Sequence, residues 1–346
     1  MSTDHSHRDD DGVARAVDAL RAGELVAFPT ETVYGLGADA ASSAAVAHLY
    51  AVKGRPRDHP VIVHVHALDA LDRVATDVPG WARALAAECW PGPLTLVVPR
   101  RAGAVCDEVT GGRPTVGVRV PAHVLALELL EAFAGGVAAP SANRFGRVSP
   151  TTAQHVRTDL GDDVAVVLDG GACAVGVEST IVDATNMSGP RILRHGAIDA
   201  TTIERVTGVA SATVTDGTVA APGTLASHYA PRARIELAAD VDAAYARAAQ
   251  LADAGRATGM LLMRERGADH REPPVGVVVL DAPHDADDYA RVLYARMRDA
   301  DSCGLDVLVA VPPPQHGIGM AVADRLRRAA TVDPDGEGWE PAHFGS

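Results

Sequence analysis

The sequence predicts an α/β protein in which a mixed-sheet domain over residues 13–205 precedes a smaller α/β domain over residues 232–346. Its length of 346 residues matches two domains of ordinary size. Short Val-, Leu- and Ala-rich runs alternate with helical patterns along most of the chain. Residues 206–231 interrupt this alternation with an Ala-, Thr-, Gly- and Pro-rich stretch, which we interpret as a linker.

The first domain begins after residues 1–12, a polar and acidic stretch that we predict to be a disordered leader. Apolar runs then predict strands over 24–28, 60–66, 94–98, 116–120, 136–139, 164–168, 175–182 and 191–194. Helical periodicity predicts helices over 13–22, 40–52, 81–89 and 122–133. Gly35 and Gly37 are predicted to mark a turn. We expect these strands to form a mixed sheet.

The second domain shows a stricter alternation of strands and helices. The pattern predicts strands over 234–237, 258–263, 275–280 and 305–311, and helices over 241–254, 285–300 and 317–330. Such alternation is typical of a small, doubly wound, Rossmann-like domain. The Pro-, Gly- and acid-rich tail after residue 332 is predicted to be loose.

The composition of the chain argues against several classes of protein. No stretch reaches the roughly 18 uninterrupted apolar residues that a membrane span needs. The four cysteines have no CxxC spacing, so we predict a reduced, cytoplasmic protein without a zinc ribbon. The net charge of −14 argues against a protein whose main task is to bind nucleic acid.

A cationic loop is the first candidate site. Lys53, Arg55 and Arg57 lie where Gly54 and Pro56 break an Ala-rich helix, which predicts an exposed loop. Lys53 is the single lysine among 31 basic residues. Guanidinium and ammonium groups together suit a polyphosphate, whereas the alternative interpretation is a solvated run of charge.

Further polar residues follow or interrupt predicted strands: His64, Arg119, Ser141, Asn143, Ser179 and Arg194. Hydroxyl, amide and guanidinium groups suit phosphate or ribose. His64 and His66 lack further ligands at suitable spacing, so no metal site is predicted. The segment from Gly35 to Ala40 fits GxGxxA, but Gly35 lies seven positions after Phe28, the end of the preceding strand, which argues against a dinucleotide site.

Several motifs together resemble the YrdC-like threonylcarbamoyl-AMP synthases in their longer, two-domain form. They are Pro29-Thr-Glu-Thr-Val-Tyr-Gly-Leu, Lys53-Gly-Arg-Pro, Trp90-Pro-Gly-Pro-Leu-Thr, Ser141-Ala-Asn, Val177-Glu-Ser-Thr and Ser227-His-Tyr-Ala-Pro. The resemblance implies a nucleotidyltransferase that makes L-threonylcarbamoyladenylate from L-threonine, bicarbonate and ATP, with release of pyrophosphate. A downstream transferase would then modify tRNA. This chain itself is not expected to bind tRNA directly.

The resemblance also implies roles for individual residues. The implied threonine contacts are Thr32, His64, Arg119, Ala139 and Ser179, and the implied ATP contacts are Arg55, His59, Thr115, Ser141, Ser149, Arg194 and Tyr229. Lys53, Arg55, Ser141 and Asn143 would form the catalytic group. Magnesium is expected to arrive with ATP, and the linker with Tyr229 is expected to close over the nucleotide as a lid.

Two other functions stay open at this point. The YrdC fold has a concave basic face, which is compatible with a double-stranded RNA-binding module, although the charge of −4 over residues 13–205 weakens that alternative. A carbamoyltransferase that adenylates carbamate is the second. Such enzymes carry zinc-finger-like cysteine motifs, which this sequence lacks.

Overall fold

The structure is a computed structural model that describes residues 6–213, 229–263 and 271–331. These residues divide into two units. The first contains residues 6–145 and 149–213, and the second contains residues 146–148 together with the described residues from 229 onward. We describe each unit by itself.

The first unit contains one mixed sheet. Its strands are β1 (Val26–Phe28), β2 (Gly35–Asp39), β3 (Ile62–His64), β4 (Leu94–Pro99), β5 (Thr115–Arg119), β6 (Val137–Ala138), β7 (Val166–Val167), β8 (Thr180–Asp183), β9 (Arg191–Arg194) and β10 (Ala212–Thr213). They lie in the order β10-β9-β8-β4-β5-β3-β6-β2-β1-β7. The helices are α1 (Ser6–Arg21), α2 (Ser43–Lys53), α3 (Leu71–Val74), α4 (Gly80–Cys89), α5 (Asp107–Thr110), α6 (Val124–Phe133), α7 (Ala153–Leu160) and α8 (Ala200–Thr207).

The two faces of this sheet differ, because successive side chains of a strand point to opposite sides. Val63, Leu96, Val116, Val118 and Val182 lie on one face, inside the main hydrophobic core. The other face is covered at one end by α1 and α6, whose apolar residues pack against β1 and β6. Between this cover and a small cluster of Val97 and Ile181 lies a stretch of polar side chains.

The predicted turn at Gly35 and Gly37 is wrong, because both residues belong to strand β2, which pairs antiparallel with β1. A Cβ on Gly37 would lie 2.8 Å from Val137 Cγ1 and 3.0 Å from Phe28 Cε1. These glycines therefore permit close packing between neighbouring side chains. The segment that fits the GxGxxA motif also lies in this strand, so it does not form the glycine-rich turn of a dinucleotide site.

Several helical segments also differ from the prediction, including the short helices α3 and α5, which were not predicted. Helix α1 starts at Ser6, inside the stretch predicted to be a disordered leader. Helices α7 and α8 were missed, and α8 begins at the end of the predicted first domain and runs into the predicted linker. Both have short polar N-caps, Thr152 and Asp199, whose side chains accept from backbone amides three residues later.

The second unit contains a parallel four-stranded sheet. Its strands are β11 (Arg234–Leu237), β12 (Thr258–Leu261), β13 (Val277–Val279) and β14 (Val307–Ala310), in the order β11-β14-β12-β13. Its helices are α9 (Val241–Asp253), α10 (Ala286–Ser302) and α11 (Gly319–Ala330). Asp240 and Asp285 cap α9 and α10 by accepting from backbone amides. The alternation predicted from the sequence is thus confirmed as an α/β domain.

Three expectations from composition can be compared with the described part of the chain. All four cysteines are free thiols. Within residues 6–213, 229–263 and 271–331, no group of three or more His, Cys, Asp or Glu side chains could hold a metal ion. Over the same ranges, no helix combines the length and the apolar character that crossing a membrane requires.

Candidate active site

The polar stretch of the first sheet centres on β5. Thr115, Gly117 and Arg119 share one face of this strand, while Val116 and Val118 point into the core. Strand β3 runs parallel to β5 and places His64 opposite Arg119. Strand β4 runs antiparallel on the other side. The ends of β3, β5 and β9 and the starts of β4 and β8 therefore meet at one edge of the sheet.

Arg119 is buried and already has a carboxylate neighbour. Its Nη2 lies 2.7 Å from Oε1 of Glu31, and its Nε donates to the carbonyl of Gly92 at 3.2 Å. The second carboxylate oxygen of Glu31 accepts from the backbone amide of Ala122 at 3.0 Å. Thr32, the next residue, shares a 2.8 Å hydrogen bond with the hydroxyl of Thr30. The ion pair thus joins the loop after β1 to the end of β5.

His64 is buried beside this pair. Its ring meets the ring of Phe28 edge-on, with centroids 5.8 Å apart. Burial, followed by the positive charge of Arg119, lowers the pKa of His64 to about 3. The imidazole is therefore neutral near pH 7, and its Nδ1 is buried without a hydrogen-bond partner.

Ser179 and Arg194 are brought together at the same edge. The Oγ of Ser179 shares a 2.8 Å hydrogen bond with Thr95 Oγ1. Arg194 donates to the carbonyl of Ser179 through Nε and Nη2, at 3.1 and 3.0 Å, and to its Oγ at 3.1 Å. A Cβ on Gly196 would lie 2.3 Å from the amide nitrogen of Thr180, so only glycine lets the chain pass this close.

A β-bulge aims Arg194 at Ser179. Strand β9 places Ile192 opposite Val182 but Arg194 opposite Ile181, so Leu193 is an extra residue in the ladder. Ile192 and Arg194 are two residues apart and would share a face in a regular strand. The bulge instead leaves Ile192 in the core and turns Arg194 toward the polar face.

The predicted exposure of the cationic loop is wrong for Lys53 and Arg55, which are both buried. Lys53 is the last residue of α2 and is buried, because Gly54 adopts a left-handed backbone (φ 64°) that ends the helix and turns the chain. Its Nζ donates to the carbonyls of Ser141 and Asn143 at 2.5 and 2.6 Å. Burial, with a smaller effect of Arg55, holds its pKa well below the ordinary value. Lys53 therefore fixes the Ser141–Asn143 loop.

Arg55 and His59 lie together in the loop after α2. Arg55 donates to the carbonyl of His59 through Nε at 3.3 Å and to that of Pro60 through Nη2 at 3.0 Å. Its guanidinium lies 5.9 Å from the centre of the Phe145 ring. Burial, then the charge of Arg55, lowers the pKa of His59.

The remaining predicted residues lie at different places in the first unit. Thr115 begins β5, about 13 Å along the strand from Arg119 at 3.3 Å per residue. Ala139 donates its amide to the carbonyl of Ile62 at 2.8 Å, and Ser141 forms a bridge with Gly35. Ser149 donates to Oε1 of Glu178 at 2.7 Å, with both side chains buried.

Tyr229 belongs to the second unit. Its ring stacks on Tyr294 with centroids 5.7 Å apart, and the buried guanidinium of Arg325 lies 5.6 Å from its centre. Its backbone is left-handed, with φ 68°. Residues 214–228 of the predicted lid lie outside the described residues, so the lid stays a prediction.

Sequence reasoning missed Glu31, Thr95 and Glu178 as residues of this region. Each contacts a residue that had been identified: Arg119, Ser179 and Ser149, respectively. Glu31 and Glu178 each stand inside a motif that was recognised, and both are acidic residues within otherwise apolar or hydroxyl-bearing runs. That contrast was a usable signal for a buried carboxylate.

Comparisons with known proteins cover both units. Residues 18–196 match the Sua5, YciO and YrdC family model, described as "Telomere recombination", and residues 198–331 match the model described as "Threonylcarbamoyl-AMP synthase, C-terminal domain". Threonylcarbamoyl-AMP synthase of Pyrococcus abyssi is 38% identical over 91% of this chain and 93% of its own length. The enzyme of that name from Bacillus subtilis is 36% identical over 95% of both chains.

A solved structure supports the same assignment. The crystal structure of Pyrococcus abyssi Sua5 complexed with L-threonine is 38% identical, with a TM-score of 0.83, and covers 92% of this chain and 94% of its own. This likeness extends over the mixed sheet and the smaller parallel sheet. The chain therefore belongs to the two-domain, YrdC-like family of threonylcarbamoyl-AMP synthases, which are enzymes of the nucleotidyltransferase type.

Proposed function

We propose that the protein makes L-threonylcarbamoyladenylate from L-threonine, bicarbonate and ATP, releasing pyrophosphate, and that the product serves threonylcarbamoyladenosine modification of tRNA. Threonine and bicarbonate would first give N-carboxythreonine and water, with release of one proton from the ammonium group. A carboxylate oxygen of this carbamate would then attack the α-phosphorus of ATP, and the bond to pyrophosphate would break. The names of the relatives and the threonine bound to the Pyrococcus abyssi protein support this proposal.

The polar face of β3, β4 and β5 is the observation that carries the proposal. His64, Arg119 and Ser179 lie at one edge of this face and would bind threonine there, with Thr32 on the adjoining loop and Ala139 beside Ile62. A small hydroxyl-bearing amino acid suits a region that offers a carboxylate partner, hydroxyl groups and a neutral imidazole.

Electrostatics explains why the reaction would need fixed cations. An anionic carbamate must approach the anionic phosphates, so mutual repulsion contributes much of the barrier. Arg55 and Arg194 are both buried and held by carbonyl oxygens, so they would face the phosphates without first having to reorganise. Ser141, Asn143, Ser149, Thr115 and His59 would orient the nucleotide, and Tyr229 is proposed as a further nucleotide contact.

Magnesium would arrive with ATP. The described residues offer no cluster of carboxylates or imidazoles that could hold the ion by protein ligands alone, so the phosphate oxygens and water would be its main ligands. Bound in this way, magnesium would neutralise charge on the phosphates while the arginines hold them.

The test is incorporation of radiolabelled bicarbonate in the presence of ATP and magnesium, with each amino acid supplied in turn. We expect a labelled adenylate only with threonine or a close hydroxyl-bearing analogue, together with pyrophosphate in equal amount. Pyrophosphate release without labelled product, or label incorporated with every amino acid alike, would contradict the proposal. A gel-shift assay with double-stranded RNA at several salt concentrations tests the alternative function.

A further inference from the structure

Three buried polar atoms that form no well-aligned hydrogen bond lie together in the first unit. They are Oε1 of Glu31, Nη2 of Arg119 and Nδ1 of His64. Glu31 Oε1 and Arg119 Nη2 form an ion pair at 2.7 Å, but their contact lacks the geometry of a hydrogen bond, and His64 is the register partner of Arg119. Native proteins pair nearly all buried polar atoms, so such a group indicates a ligand that would complete the pairing.

The charges of this group add up to zero. Glu31 contributes a negative charge and Arg119 a positive one. His64 is neutral, because burial and Arg119 lower its pKa to about 3. The nearby thiol of Cys173 is neutral too, because burial and then Glu31 raise its pKa to about 12. A ligand that carries both charges would match this arrangement, whereas a simple anion would meet the carboxylate of Glu31.

The backbone fixes both charged side chains. Glu31 Oε2 accepts from the amide of Ala122 at 3.0 Å, and the carbonyl of Glu31 accepts from the amide of Val175 at 2.7 Å. Arg119 Nε donates to the carbonyl of Gly92 at 3.2 Å. Because each group has an anchor besides the other, a ligand need not break the pair in order to contact both.

We propose that Glu31 and Arg119 bind the amino-acid substrate as a zwitterion, with Glu31 accepting from its amino group and Arg119 donating to its carboxylate. The inference rests on the proposed function, in which L-threonine is a substrate, and it assigns to Glu31 a direct part in selecting that substrate. A buried arginine alone would take any small carboxylate. Glu31 raises the cost of binding a plain anion and adds a charge-assisted hydrogen bond to an ammonium.

Calorimetric titration of the full chain with two ligands tests this assignment. L-Threonine carries both charges, and (R)-3-hydroxybutanoate keeps its carboxylate and hydroxyl but lacks the amino group. The wild-type protein should bind threonine at least about 10-fold more tightly. Glu31→Gln should weaken threonine binding roughly 10- to 100-fold, the range of a hydrogen bond to a charged group, and should leave 3-hydroxybutanoate binding unchanged or stronger.

Two further variants sharpen the result. Asp183→Asn removes another buried carboxylate of the same unit, which is paired with Arg191, and should leave the ratio of the two affinities unchanged. Glu31→Asp retains the charge but withdraws it by one methylene, so its ratio should lie between those of the wild type and Glu31→Gln. If the Gln variant does not fold, the inference is tested by the ratio of the two affinities in the wild type and in the Asp variant.

The outcomes separate this inference from the proposed function. Equal weakening of both ligands by Glu31→Gln would overturn the inference, because Glu31 would then act only by holding Arg119. A wild-type protein that binds both ligands equally would overturn it as well, even with a successful bicarbonate assay. If threonine binds with the expected ratio but no adenylate forms, the inference stands and the proposed function is wrong.

Discussion

The two units differ in where their charged side chains lie. All but two of the buried polar or charged residues described in this chain belong to the first unit, and they include Glu31, Lys53, His64, Arg119 and Arg194. The ion pairs of the second unit lie mostly at its surface, as in the pair of Arg247 with Glu236. Burying charge is costly, and a protein retains such groups where they do chemistry or hold a loop. The contrast agrees with the proposal that the chemistry takes place in the first unit.

Replacement of Lys53 should have the largest effect. Lys53→Met keeps the length of the side chain but leaves the carbonyls of Ser141 and Asn143 without their donor. We expect kcat/KM for pyrophosphate release to fall about 1000-fold, because the loop loses its geometry. The free energy of unfolding should fall by about 2 kcal/mol. The two unpaired carbonyls lower stability, and removal of a buried charge offsets part of that loss.

Lys53→Arg is the matched variant. It keeps the charge, but a planar guanidinium cannot replace an ammonium between two carbonyls 2.5 and 2.6 Å away. It should therefore remain impaired. Normal activity in the Met variant would show that the buried lysine is dispensable. Buried charge would then no longer indicate which unit carries the chemistry.

Substrate discrimination should be the next largest effect. Valine has nearly the shape of threonine but lacks its hydroxyl, so buried polar atoms such as His64 Nδ1 or Ser179 Oγ would lose a partner. A site built to bind a hydroxyl rejects such an analogue strongly. We expect kcat/KM for valine to be at least about 100-fold lower, measured by pyrophosphate release. Equal rates with the two amino acids would mean that these atoms do not contact the side chain of the substrate.

His64 should make the first unit sensitive to acid. Its pKa is about 3 in the folded protein and near 6.5 when the chain is unfolded, so the unfolded state takes up the proton first as the pH falls. Its contribution to stability is thus present above pH 6.5 and is lost progressively down to about pH 3. Denaturant unfolding should show wild-type stability falling by up to about 2 kcal/mol more than that of His64→Asn between pH 6.5 and 5. Parallel curves for the two proteins would contradict the neutral, buried imidazole.

The surface of the second unit should give the smallest effect. Arg247 is nearly half exposed and pairs with Glu236 at 2.7 Å. Exposed pairs of this kind contribute at most about 1 kcal/mol. Arg247→Ala should therefore lower the free energy of unfolding by less than that and leave kcat/KM within about twofold of the wild type. A large loss of activity would show that surface charge on the second unit takes part in the reaction.

The sequence allowed most of the fold to be predicted. Strands β9 and β11 have the predicted bounds, and every strand and helix proposed for the second unit is present within a few residues. Apolar periodicity suffices there, because helices alternate with the strands along the chain and pack their apolar residues against the sheet. It failed at Gly35 and Gly37, where glycine is selected by neighbouring side chains that a local pattern does not contain.

The site was predicted less completely, and for a related reason. Motifs identified residues that carry charge, but they did not indicate which of them lie inside the protein. Lys53 was predicted to be exposed because its neighbours Gly54 and Pro56 indicate a loop, yet its partners are about 90 residues away in the chain. Glu31 was passed over because its partner, Arg119, lies on a different strand. Pairings of this kind depend on the sheet order, which no single segment encodes.

The extra residue in β9 also decides where this chain tolerates a change of length. In a regular strand, deleting one residue moves every side chain beyond it to the opposite face. Deleting Leu193 would instead leave Ile192 opposite Val182 and Arg194 opposite Ile181, because the ladder already skips that position. A single-codon loss there would preserve the direction of the guanidinium, while the same loss within β5 would turn Arg119 into the core. Relatives one residue shorter at this point can therefore keep the same arginine on the same face.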